Sequence, residues 1–81
     1  MNTVKQIIHR KLGKEKAHGL AYCEEGIIHI DSTIKGLRHL DVLIHEITHI
    51  QNPKWSELKV EGHATEMAKL LWDLGYRRII E

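Results

Sequence analysis

The chain has 81 residues, one domain's worth of sequence, so residues 1–81 are read as a single domain with one core and one site. Twelve Lys+Arg against eleven Asp+Glu leave a formal charge of +1 with no block of like charges, and no nucleic-acid partner is expected. A lone cysteine, Cys23, excludes an internal disulfide, no stretch has the apolar length of a membrane span, and the first ten residues lack a signal peptide's apolar run, so a cytoplasmic protein with no membrane partner is expected.

In chain order, Val4, Ile7, Ile8, Lys11 and Leu12 follow helical spacing, with Thr3 placed to cap the start and Gly13 the stop, and predict a first helix. Lys14 to Gly19 is polar and flanked by glycine. Leu20–Cys23 and Ile27–Asp31, joined by the turn-like Glu24-Glu25-Gly26, read as two strands of an antiparallel hairpin. Asp31 or Ser32 suits a following turn. From Leu37, the apolar positions Leu40, Leu43, Ile44, Ile47 and Ile50 recur at helical spacing and predict a second helix ending before Asn52-Pro53. Pro53 forbids helix behind it but suits the start of a new one, so a third helix begins between Lys54 and Glu57. Val60, Ala64, Met67, Ala68, Leu71 and Leu74 form its apolar face, and Gly75 is its stop. The expected fold class is α+β: three helices with a short antiparallel β-hairpin.

Seven histidines are spread through the chain. Two of them stand in His45-Glu46-Ile47-Thr48-His49, the H-E-x-x-H pattern, one helical turn apart on one face, where both imidazoles reach a single zinc ion. Glu46 lies about 100° round the helix from His45, which is too far to be a third ligand but suits a general base taking a proton from an activated water. The zinc ion lowers that water's pKa to about 7 and polarises the substrate carbonyl. With so many histidines the pattern arises by chance about 0.06 times in such a chain. Its position inside an amphipathic helix, directly after a strand, is what gives it weight.

A catalytic zinc ion has three protein ligands and one open position. On a helical wheel Glu57 and Glu61 fall within or at the edge of the third helix's apolar face, whereas Glu66 points to solvent. Glu61 is the expected third ligand. It is twelve residues past His49, far enough for the Pro53 corner to fold the third helix back over the second. Glu57, closer to the corner, and His63, at the opposite edge of the face, are the alternatives.

The stretch from Gly26 to Leu71 resembles the ImmA/IrrE-type metallopeptidases, relatives of the minimal gluzincins, in three segments. Ile27-Ile28-His29-Ile30 is similar to the family's strand before the active-site helix, Leu43 to His49 to its L-A-H-E-L-G-H segment, and Glu61 to Leu71 to its E-x-x-A-N-x-F-A-x-x-L-L helix. Thr48, His63, Thr65 and Met67 depart from that pattern. A weaker likeness to SprT-like and WLM peptidases rests on His49 followed by Asn52-Pro53-Lys54-Trp55. The resemblance implies a zincin-like architecture, zinc held by His45, His49 and Glu61, Glu46 as base, and hydrolysis of peptide bonds in a protein substrate, often a regulatory protein. The other reading is a catalytically inactive binding or regulatory module with a structural metal site. In zinc peptidases of this build the substrate commonly adds as a strand to a sheet edge, and Ile28, His29 and Ile30 are the expected edge. Tyr22, Tyr76 or His63 is expected to stabilise the oxyanion. Trp55 and Trp72 are expected in the core.

Overall fold

A computed structural model describes residues 2–79. Its elements are β1 (Gln6–Arg10), a single 3-10 turn (Gly13–Glu15), β2 (Gly19–Tyr22), β3 (Ile27–Asp31), α1 (Gly36–Gln51) and α2 (Glu57–Asp73). The α+β class stands, but the architecture has two helices and a three-stranded mixed sheet, not three helices and a hairpin. The expected first helix is the strand β1. Over so short a run, spacing cannot distinguish the periods, and the adjacent β-branched Ile7 and Ile8 favour the extended form. The decisive contribution is tertiary: β1 pairs in parallel with β3, from Gln6↔Ile27 to Arg10↔Asp31, and supplies partners for a β3 edge otherwise left open.

Strand order is β1-β3-β2, with β2 antiparallel to β3 from Gly19↔Ile30 to Tyr22↔Ile27. The expected substrate edge at Ile28, His29 and Ile30 is therefore corrected. Those residues form the central strand, hydrogen-bonded on both sides, and Ile28 and Ile30 are fully buried. The open edge beside the helices is β2. The register puts Ile7 and His9 of β1, Ile28 and Ile30 of β3, and Gly19 and Ala21 of β2 on one face. On the other face Arg10 donates to Nδ1 of His29 at 2.8 Å, and Tyr22 meets the same ring edge-on.

α1 packs on the inner face of β2 and β3, and α2 folds back along α1. Small side chains make that close: the buried stripe of α2 is Val60, Ala64 and Ala68. Ile28, Ile30 and Ile50 form the centre of the core, joined by Val42, Leu43 and Ile47 of α1. Asn52–Ser56 makes the corner between the helices. Ser56 caps α2 by accepting a hydrogen bond from the Lys59 amide at 3.2 Å, so α2 starts where the sequence predicts. Trp55 and Trp72 are half-buried under cations: Lys59 Nζ lies 4.2 Å and the Arg77 guanidinium 3.5 Å from their ring centroids. Among the described residues no helix is long and apolar enough to cross a membrane.

Candidate metal centre

The antiparallel helix pair brings the last turns of α1 against the first turn of α2. His45 and His49, four residues apart, present Nε2 atoms 3.1 Å from each other. The Glu57 carboxylate spans them, with Oε1 2.7 Å from His45 Nε2 and Oε2 2.9 Å from His49 Nε2. Among the described residues this is the one group of three or more His, Cys, Asp or Glu side chains whose donor atoms converge within 4.8 Å. Each residue also suits its helix: an imidazole in the last turn of α1 and a carboxylate in the first turn of α2 complement the helix dipoles.

The donors fit a zinc ion in kind and in spacing. Two nitrogens and one carboxylate are ordinary zinc ligands, and ligands about 2.0–2.1 Å from a tetrahedral ion stand roughly 3.3 Å from one another. The observed separations of 2.7 to 3.1 Å are a few tenths shorter. The three side chains are therefore drawn together about a point that an outward movement of that size would open. Glu57 is 66% exposed at its side chain, so one side of the cluster faces solvent.

Glu61, the ligand expected from sequence, lies one turn further along α2, outside the cluster. It lines a cleft of about 300 Å³ that includes His45 and Glu46, together with His18, Gly19, Asp41 and Thr65. The structure thus joins the alternative, Glu57, to the two histidines and leaves Glu61 beside them. The wheel puts both acids toward one face of α2 but carries no information on the height at which that face meets α1. His63 is exposed and packs edge-on against Trp55, away from the cluster.

Glu46 is 8% exposed and borders this cleft. Burial pushes its carboxyl above the usual range, the neighbouring His45 and His49 pull it back, and Glu57 adds to the rise. Its other wall is β2. A Cβ on Gly19 would come within 2.8 Å of Val42 Cγ1 and 2.9 Å of both Cγ and Oε2 of Glu46, so only glycine lets the strand approach the carboxylate. Thr48, at the position where the resembled family has glycine, is buried. Its hydroxyl donates to the Ile44 carbonyl at 2.7 Å, so the departure leaves no polar atom unsatisfied.

None of the expected oxyanion residues borders this cleft: Tyr22 is on the outer sheet face, Tyr76 lines a different cavity, and His63 faces Trp55. His18 and Thr65 are the polar side chains that do, besides the acids and His45. His18 Nε2 meets the guanidinium of Arg38. Sequence reading missed His18 and Gly19 because their roles depend on where β2 crosses α1.

Comparison with protein-family models, curated proteins and solved structures returned no significant match.

Proposed function

We propose that the protein is a zinc-dependent peptidase of the ImmA/IrrE-like kind, holding its ion through His45, His49 and Glu57 and hydrolysing peptide bonds in a protein or peptide substrate. The observation that carries the reading is the convergence of the Glu57 carboxylate on both imidazoles of H-E-x-x-H, with Glu46 on an adjoining cleft. A structural site needs the ligands but no such carboxylate.

A zinc ion bound there supplies Lewis-acid polarisation of a carbonyl and a water of lowered pKa. Glu46 accepts the proton released as the water oxygen bonds to the scissile carbon, and passes it to the departing amine nitrogen as the C–N bond breaks. Burial suits it to both steps by making the carboxylate a stronger proton acceptor than an exposed one. An extended substrate is accommodated along β2, the open edge over α1, by backbone hydrogen bonds that tolerate varied sequence. Gly19 leaves its path clear beside Glu46, and His18 and Thr65 supply hydrogen-bonding groups at the same cleft.

The test is incubation of the zinc-loaded protein with an unfolded protein substrate, the products being read as new termini by mass spectrometry. Cleavage by the wild type is expected to fall roughly 10²–10⁴-fold in Glu46→Gln with zinc content unchanged. Equal cleavage by both proteins contradicts the base assignment. Full zinc loading with no cleavage of any substrate favours the structural-site reading.

A further inference from the structure

A second cavity, of about 560 Å³, lies apart from the metal centre and shares none of its residues. It exists because α1 covers β2 and β3 but, apart from the His9–His39 contact, leaves the inner face of β1 uncovered, so that Ile7, on that face, remains 39% exposed. The floor is Ile7 with Leu40 and Leu43 of α1, and Leu71 and Trp72 of α2 close one side. A volume of this size falls within the range of small-molecule sites, and the mainly apolar lining is their usual character.

The mouth has one sign of charge. Among the described residues, Lys35, Arg77 and Arg78 are the charged ones lining it, and no carboxylate does. Arg77 is held in place, stacked on Trp72 and donating to the Trp72 and Tyr76 carbonyls at 2.9 Å. Lys35 and Arg78 have no carboxylate partner among the described residues. Gly36 also lines the cavity, at the start of α1, where no side chain caps the helix and no acid occupies the first turn. The positive end of a sixteen-residue helix therefore adds to the three cations. Deeper in, His9 and His39 are stacked with their Nε2 atoms 3.0 Å apart. Both are held below the ordinary histidine pKa, first by burial and then by the charge of Arg78, so the positive field reaches the cavity wall.

We propose that this cavity binds a small amphipathic anion, with an apolar body on the Ile7–Leu40–Leu43 floor and a carboxylate or phosphate head between Lys35 and Arg78. An apolar body alone would use the floor, but the concentration of uncompensated positive charge at the mouth is explained by an anionic head. Because His39, Leu40 and Leu43 precede His45 and Glu46 on α1, an occupant would rest on the helix that carries the metal ligands.

Sodium decanoate below its micelle concentration is a suitable probe, followed by Trp72 fluorescence in a Trp55→Phe background. Saturable binding is expected, with 1-decanol and decyltrimethylammonium about tenfold weaker, the loss ascribable to one charge-assisted contact. The surface double variant Lys35→Gln/Arg78→Gln is expected to weaken decanoate by at least that factor while leaving decanol unchanged. Equal binding of decanoate and decanol overturns the proposal, as does undiminished decanoate binding by the double variant. Attachment to phosphatidylglycerol vesicles without binding of monomeric decanoate overturns it too.

Discussion

At Gly19 the absence of a side chain is what lets β2 approach α1, because the space a Cβ would take is filled by Val42 and the Glu46 carboxylate. Gly19→Ala should push the Glu46 side chain out of its place at a cost of about 1–3 kcal/mol in stability, the range for overpacking. The expected result is a fall in kcat/KM of about tenfold or more with zinc content retained, since His45, His49 and Glu57 lie outside the collision. Turnover equal to wild type would show that β2 does not position the base. The two kinds of site residue differ in how far their reasons reach along the chain. His45, Glu46 and His49 were legible because their relation is one helical turn, whereas Gly19 and His18 have meaning only through contacts with residues twenty or more positions away.

The elements themselves were legible where local chemistry decides them. Asn52-Pro53 marked the corner, and the apolar spacing of α1 and α2 set two helices nearly at their observed bounds. β1 was not legible, because its extended form depends on pairing with a strand seventeen or more residues later. The choice between Glu57 and Glu61 failed to resolve for a related reason: a wheel carries no information on how far along α1 the corner sets α2. The same corner would make an ion held by His45, His49 and Glu57 a fastener between two elements. Zinc at 1,000 times its Kd should stabilise the fold by about 4 kcal/mol, and that gain should vanish in Glu57→Ala. Ser56→Ala should cost about 1 kcal/mol with or without zinc, because the cap holds α2 and not the ion. Urea denaturation with and without chelator measures both, and an equal zinc gain in Glu57→Ala would rule out the fastening role.

For the whole molecule, the stacked pair His9 and His39 makes stability depend on pH. Both have folded pKa values below the ordinary 6.5, chiefly through burial, so the unfolded chain takes up protons first as pH falls. The pair's contribution is therefore complete above about pH 6.5 and is lost as pH drops from there toward the folded values. With chelator present, wild-type stability should fall more steeply than that of His39→Gln between about pH 7 and pH 5.5. Parallel curves would show that the pair does not titrate with folding. The His45–His49–Glu57 cluster, the cleft and the cavity all border α1, the helix between sheet and α2, so a domain with so small a core places a candidate site on either side of it.

The account rests on the zinc site, and zinc content after equilibration and desalting measures it directly in wild type, Glu57→Ala and Glu61→Ala. One zinc per chain in the wild type and in Glu61→Ala, with loss from Glu57→Ala, is the expected result. A wild type that takes up no zinc, or zinc kept by Glu57→Ala and lost from Glu61→Ala, would contradict it.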